Sequence, residues 1–551
     1  MAGLIEMINS NRRKVGEGLY LLYFAVMVGA RAAGLYEGMV LYNSCLVVGL
    51  VLFAAKIVVT HHTVKEYAIM AAFFALAILV YKCTGEKGLF VCFTMMFGMK
   101  YVCPRKVIIT GAAVAGFFVF GKIILGVFGV IPEIYYPQER AGAGLMFRHA
   151  FGYAHPNTLH MNVLMLTMMV LYLVTLEVQS RSEDDKHILS YLYIASSLAL
   201  FFNLYIFMYS GSRTGLIACM VYIVCNLWLA VRKNIGLFEK IVAFAAFPIT
   251  CVVSVILPLV LPEDIFLFLN RTVFNSRFSL AKYFWTNNHL SLFGIRLNNP
   301  DPMLKTYGID MAQMYLLLQL GLVAFVVMAA LSVWYIAMAI KRGKRAELAV
   351  MLAMLFLGMW EPLLYNLGFK NFIYVFMGQM FFMCLIDSKA AAPDELKTGK
   401  AGCCAASLEA GDACADPKES PQWDIGFKTF IKPLTGAIFA GIAASLIFLL
   451  ATAPPTALYG DREEGENGVS FGMTAEYLTS AEVSKLKKNG DIIIGYVDEK
   501  TPMYRYGEEI ALMEYQKKSI SIGVWLGILV MLIICGYYYR RQSSNKTGNV
   551  V

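Results

Sequence analysis

The sequence predicts an all-α polytopic membrane protein, and three observations carry that prediction. Of 551 residues, 58% are apolar and only 15% are charged, a balance that leaves too few polar groups to clothe a soluble chain of this size. Apolar runs of roughly 20 residues, the length needed to cross hydrocarbon, recur about fourteen times. The basic residues gather in short loops between those runs, so the net charge of +9 reads as an orientation signal and not as a surface for nucleic acid.

Taken in order, the runs fall near 16–34, 37–58, 66–82, 88–104, 107–130, 156–177, 188–209, 213–231, 239–262, 308–340, 346–365, 371–387, 427–452 and 519–539. The first follows Arg12, Arg13 and Lys14 and lacks a small-residue cleavage pattern, so a retained anchor is expected. A cytoplasmic N-terminus places these three residues, then Lys100, Arg105 and Lys106, the basic loops 231–234 and 341–345, and the C-terminal basic tail on the cytoplasmic side. The outer face then receives 131–155, 209–215, 263–307, 361–371 and 453–518. Three parts are expected: a core of about twelve spans over 1–388, a cytoplasmic linker over 389–426, and a C-terminal appendix over 427–551. In the appendix two transmembrane helices flank an extracytoplasmic segment, 453–518, whose Thr479 and Glu482 have capping-box spacing. An Asn489-Gly490 turn and the strand-like "DIIIGYVDE" follow, so this segment is expected to be a small α+β module.

The twelve cysteines suggest no metal site. Cys45, Cys92, Cys219, Cys225, Cys251, Cys384 and Cys535 lie within runs, where cysteine acts as a small apolar residue. Cys403, Cys404 and Cys414 fall in the linker without a CxxC spacing. There is no internal repeat, no glycine-rich phosphate loop and no paired aspartate motif. An enzyme using a cytosolic nucleotide sugar is therefore disfavoured, and neither a metal nor a cofactor is expected.

Polar residues concentrate in three stretches of the outer face. In "GYAHPNTLH" Pro156 suits the first turn of a helix, which leaves His155 at its mouth. Asn157 and His160 share one face of that helix, and Thr158 and Asn162 share another. Such groups must meet neighbouring helices or a water-filled cavity. In "SGSRTG" one helix stops and the next begins: Ser212 is expected as the N-cap, Gly211 and Gly215 permit close approach, and Arg213 stands beside the positive end of a helix dipole. That combination is an anion site, the alternative being an arginine that snorkels to the interface. The segment 263–307 mixes Arg271, Arg277, Lys282, Arg296 and Lys305 with Phe274, Phe278 and Trp285. If it is helical, Arg271 and Arg277 lie nearly on one face. The mixture suits an anionic headgroup carrying a lipid tail, or simple attraction to anionic lipid.

"GYAHPNTLH", "SGSRTG", an arginine-bearing outer loop that closes on Phe293-Gly294, and Asp310 with Gly321 beyond it resemble the O-antigen ligase and polymerase superfamily. The likeness is to the Wzy-type polymerases of capsule and exopolysaccharide and spans roughly residues 20 to 388. Met311 departs from the pattern, which commonly has asparagine there, and the appendix is not covered.

The resemblance implies a GT-C-like core in a bacterial cytoplasmic membrane and a metal-independent glycosyltransferase needing no cofactor. It would move a growing glycan from undecaprenyl diphosphate onto a sugar hydroxyl of the next lipid-linked repeat unit, on the outer face. Arg213 with Arg271 or Arg277 would meet the charge developing on the diphosphate. Asp310 would accept the hydroxyl's proton, with His155 and Glu361 behind it. The alternative role for Asp310 is that of an N-cap alone. Arg148, Asn157 and Ser212, with Arg271 and Arg277, would bind substrate. The expected partners are the lipid-linked donor and acceptor, the bilayer and, for the appendix, a chain-length regulator. Two other classes stay open: a ligase that transfers finished glycan to a surface acceptor, and a flippase or other transporter for lipid-linked oligosaccharide, although no paired halves are apparent.

Overall fold

The computed structural model describes residues 11–127, 130–131, 133–140, 144–181, 188–232, 234–304, 307–366, 368–390, 423–465 and 470–547. Lys305 and the linker cysteines Cys403, Cys404 and Cys414 lie outside the described residues. The chain is about 70% helical. Its helices are α1 (Arg12–Ala32), α2 (Val40–Val59), α3 (Val64–Thr84), α4 (Gly88–Phe97), α5 (Pro104–Val127), α6 (Pro156–Arg181), α7 (Ile188–Ser210), α8 (Arg213–Val231), α9 (Leu237–Val260), α10 (Glu263–Thr272) and α11 (Arg277–Asn287). They continue with α12 (Leu322–Lys341), α13 (Arg345–Leu357), α14 (Ile373–Ala390), α15 (Trp423–Ala451), α16 (Ser480–Lys488) and α17 (Glu508–Thr547).

Eleven described helices are long and apolar enough to cross a membrane. The protein is an all-α, multi-pass membrane protein whose partner is the lipid bilayer. Three of the fourteen expected runs fall short, and local chemistry explains why. The run 88–104 ends as a helix at Phe97, because Lys100 turns inward to an ion pair with Glu66 at 2.5 Å and Tyr101 takes φ 56° before Pro104 restarts the helix. The run 346–365 stops at Leu357 ahead of Pro362, and the run 371–387 yields the apolar helix Ile373–Leu385, shorter than a span. The run 308–340 divides at Gly321, whose φ of 96° ends a π turn (Tyr315–Gln319) and opens α12.

Residues group into two compact units: Met1–Ala115, Met168–Ser180 and Val221–Pro421 in one, and Gly116–Thr167, Arg181–Met220 and Gln422–Val551 in the other. The C-terminal appendix thus clusters with part of the preceding chain, a grouping that the linear division near residue 388 does not anticipate.

In the first unit the two ends of the spans differ chemically. Arg12, Lys56, His61, Glu66 and Lys100 meet at one end, where Lys100 Nζ donates to Glu66 Oε2 and to the His61 carbonyl. At the other end Arg31 Nε donates to the Gly368 carbonyl at 2.5 Å, and Glu86 accepts from Tyr315 Oη (2.9 Å) and Gln319 Nε2 (2.6 Å). Gly294 and Gly321 sit back to back here. A Cβ on Gly321 would fall 2.2 Å from the Gly294 nitrogen, so the loop after α11 closes on the helix break only because both are glycine.

In the second unit, strands β1 (Tyr135–Arg140) and β2 (Gly144–His149) form an antiparallel hairpin that pairs Tyr135 with His149. Four short strands, β3 (Leu458–Gly460), β4 (Ala475–Glu476), β5 (Ile492–Ile494) and β6 (Met503–Tyr506), order as β4-β6-β3-β5. Helix α16 makes the crossover between the parallel pair β3 and β5, and its Thr479–Glu482 capping box forms as its spacing predicts. Tyr135 and Phe147 of the hairpin share one core with Leu458, Tyr506, Ile510 and Ala511. Helices α15 and α17 approach closely at Gly441 and Gly523, where a Cβ on Gly523 would lie 2.6 Å from the Gly441 carbonyl oxygen. Ser445 and Ser519 seal this contact, each hydroxyl donating to the other's carbonyl at 3.0 Å.

Candidate functional site

The second unit gathers the "GYAHPNTLH" and "SGSRTG" residues. Helix α6 starts at Pro156 as expected, and the Asn157 N–H donates to His155 Nδ1 at 3.1 Å. The half-buried His155 ring lies 5.8 Å from that of Tyr136. Arg148 is buried and uses its guanidinium internally. Nε donates to the Ser210 carbonyl (2.8 Å) and Nη2 to Asn157 Oδ1 (2.6 Å), so Arg148 holds β2 against the ends of α6 and α7. These contacts make it a positioning residue, where the sequence suggested a group that meets substrate.

Helix α8 begins against His160. A Cβ on Gly215 would sit 2.5 Å from His160 Cγ, which is the close approach this glycine was expected to permit. His160 is fully buried; its Nδ1 faces Ser210 Oγ at 3.3 Å, while its Nε2 has no hydrogen-bond partner among the described residues. Ser212 stands at the cap position and its carbonyl accepts the Leu216 N–H. Its hydroxyl, however, makes no capping bond: Oγ is buried and unpartnered among the described residues. The expected side-chain cap is thus replaced by a free donor and acceptor at the start of α8. Beside it Arg213 is exposed, with no hydrogen bond or ion pair among the described residues.

The first unit gathers the remaining candidates. Arg271 and Arg277 do not share a helix face, because α10 ends at Thr272 and α11 starts at Arg277. Between them Asn275 (φ 45°) and Ser276 (φ 67°) adopt left-handed conformations in succession, a costly turn of the kind that clusters at functional sites. The turn leaves Arg271 exposed and buries Arg277. The Arg277 guanidinium donates to the Trp360 carbonyl (2.5 Å) and Glu361 Oε1 (2.9 Å), and its Nε lies 3.7 Å from Asp310 Oδ2. Asp310 caps no helix. The short helix at Ala312–Met314 has Met311 at its cap position and α12 has Gly321.

Sequence reasoning missed Arg31 and Lys370. Arg31 clamps the 361–371 turn through Gly368 and lies 4.9 Å from the centre of the Tyr42 ring. Lys370 follows Phe369, itself at φ 42°. Burial drives the Lys370 pKa down to about 7, Arg31 adding to the shift and Glu361 opposing it. An ionisable residue at the apolar end of a span, such as Arg31, is the signal that could have pointed here. Glu86 lies at the same end of the unit, and burial raises its pKa. Among the described residues no group of three or more His, Cys, Asp or Glu side chains is arranged to hold a metal ion.

No known protein family, curated protein or solved structure matches the chain. The chemistry therefore rests on its own residues. One unit offers an unpaired guanidinium at a helix start beside a free hydroxyl, and the other offers an accessible carboxylate next to a fixed guanidinium.

Proposed function

We propose that the protein is a membrane-embedded glycosyltransferase that polymerises undecaprenyl-diphosphate-linked repeat units into a capsular or extracellular polysaccharide, on the outer face of a bacterial cytoplasmic membrane. The observation that carries the reading is Arg213, exposed and unpaired among the described residues at the N-terminus of α8, next to the unsatisfied Ser212 hydroxyl. An exposed guanidinium at the positive end of a helix dipole is the combination a diphosphate requires.

In this reaction the acceptor sugar hydroxyl attacks the anomeric carbon of the donor glycan. The bond from that carbon to the diphosphate oxygen breaks, and its electron pair leaves with undecaprenyl diphosphate. Arg213 stabilises the charge that develops there, a task for donors fixed in advance. Asp310 takes the hydroxyl proton, and Arg277, 3.7 Å away, helps to hold the carboxylate in place. Arg271 is exposed at the end of the helix that precedes Arg277.

The test is the lipid-linked product in cells lacking the protein. A single lipid-linked repeat accumulates if the protein polymerises. Full-length polymer retained on its carrier would instead make it a ligase, and an unchanged lipid-linked pool would remove both readings.

A further inference from the structure

The end of the first unit opposite Arg31 and Glu86 holds a cavity of about 430 Å³ whose lining includes Arg12, Arg13, Lys14, Lys56, Thr60 and His61, and no carboxylate. Two of its groups are buried with hydrogen-bonding capacity unused among the described residues. Lys56, only 1% exposed, donates to the Lys100 carbonyl at 2.8 Å, and its other N–H groups have no acceptor among the described residues. Thr60 Oγ1 is buried with no hydrogen-bond partner among them. Gly16 lets α1 approach both groups: a Cβ there would lie 3.0 Å from Lys56 Nζ and 3.1 Å from Thr60 Oγ1, closer than ordinary packing allows.

The surrounding carboxylates are already committed. Glu17 is paired with Lys106 at 2.7 Å, and Glu66 with Lys100 at 2.5 Å. Arg12 Nη1 lies 2.6 Å from His61 Nε2, and the Arg13 guanidinium lies 5.1 Å from the centre of the Tyr101 ring, so the rim is ordered by its own contacts. Lys56, Val59 and Thr60 close the C-terminal end of α2, and Arg12 opens α1, which puts the cavity where two spans meet the membrane surface.

We propose that this cavity is a binding site for a phosphate group, carried by an anionic lipid headgroup or by free phosphate. The phosphate accepts hydrogen bonds from Lys56 Nζ and Thr60 Oγ1 at the floor, and the rim cations neutralise its charge. Basic pockets between transmembrane helices bind anionic headgroups in this way. The site lies at the other end of the spans from Asp310 and Arg277 and does not depend on the proposed reaction.

The test uses the full chain in phosphatidylcholine nanodiscs, with thermal unfolding followed while dioctanoyl phosphatidylglycerol, dioctanoyl phosphatidylcholine or inorganic phosphate is added. Phosphatidylglycerol raises the wild-type midpoint and phosphatidylcholine does not. Arg13→Gln combined with Lys14→Gln, both at exposed positions, weakens the response roughly thirtyfold. Thr60→Val keeps every charge and separates a pocket ligand from general surface attraction: it also weakens the response, roughly tenfold. Stabilisation by inorganic phosphate alone, lost in Thr60→Val, supports the site with free phosphate as its ligand. No stabilisation by either phosphate probe, or Thr60→Val responding like wild type to both, overturns the proposal.

Discussion

Replacing His149 by Gln tests how the β1–β2 hairpin is held to α17. The imidazole is buried between two carboxylates, with Nδ1 at 2.6 Å from Glu133 Oε1 and Nε2 at 3.1 Å from Glu514 Oε2, and Lys517 pairs with Glu514 at 2.5 Å. Burial alone would push the His149 pKa down; Glu514 and Glu133 outweigh it and raise the value from 6.5 to about 9. A folded-state pKa above the unfolded one means that the imidazolium's contribution is complete below pH 6.5 and disappears as pH rises through about 9. The shift corresponds to roughly 3 kcal/mol. His149→Gln should therefore cost about 3 kcal/mol at pH 6 and little at pH 10. Denaturant midpoints of the purified full chain in detergent micelles, measured from pH 6 to 10, read this directly. A wild-type midpoint that stays flat between pH 7 and 10, or a His149→Gln midpoint that falls just as wild type does, would refute the assignment of a buried imidazolium.

Four further outcomes are expected. Arg213→Ala should lower polymerisation by membranes supplied with lipid-linked repeat about a hundred- to thousandfold, while Arg213→Lys, which keeps charge but loses the forked donors, leaves a small remnant; wild-type rates in both would reduce Arg213 to an interfacial anchor. Asp310→Asn should abolish polymer with unchanged protein level and donor binding, and normal polymer would transfer the proton to another group. Gly321→Ala, which forces a Cβ at φ 96° to within 2.2 Å of the Gly294 nitrogen, should destabilise the chain by at least about 1–3 kcal/mol, seen as a lower denaturant midpoint. Single-cysteine forms retaining the exposed native Cys83 or Cys103 test orientation: an impermeant maleimide outside intact cells should label Cys83 and not Cys103, and the reverse pattern would invert the topology.

The spans were legible because a bilayer permits few alternatives to a long apolar helix. Eleven of the expected runs stand as such helices, and the start of α6 at Pro156 and the capping box of α16 follow from short-range chemistry that neighbouring residues fix. What the sequence did not disclose depends on pairings across long separations. Lys100 shortens α4 because Glu66, on α3, draws it inward, and nothing within 88–104 announces that partner. Arg31 sits 337 residues from the carbonyl it clamps. Arg148 read as a substrate ligand because its acceptors, Ser210 O and Asn157 Oδ1, become neighbours only when α6, α7 and the hairpin meet. The positive φ values at Asn275 and Ser276 likewise fall on residues that no turn rule demands there, so the break between α10 and α11 was invisible.

The choice among Asp310, Glu361 and His155 as proton acceptor turns on which one keeps both basicity and access. Glu361 is 15% exposed at its side chain and accepts from Arg277 at 2.9 Å; Asp310 is 42% exposed and lies 3.7 Å from the same guanidinium. The short ion pair commits the Glu361 carboxylate to holding Arg277. Asp310 feels the same charge less closely and is open to a sugar hydroxyl. His155 already spends its lone-pair nitrogen, Nδ1, on the Asn157 N–H, so in the neutral ring Nε2 carries the proton and the basic atom is occupied. Arg277 thereby sorts the two carboxylates by distance, Glu361 anchoring it and Asp310 standing farther off with the more exposed side chain. Glu361→Gln, which removes that anchor's charge, should therefore depress polymerisation by loosening Arg277 while the Asp310-dependent limb of the pH–rate profile persists. Loss of that limb in Glu361→Gln, with the limb intact in Asp310→Asn, would exchange the two roles.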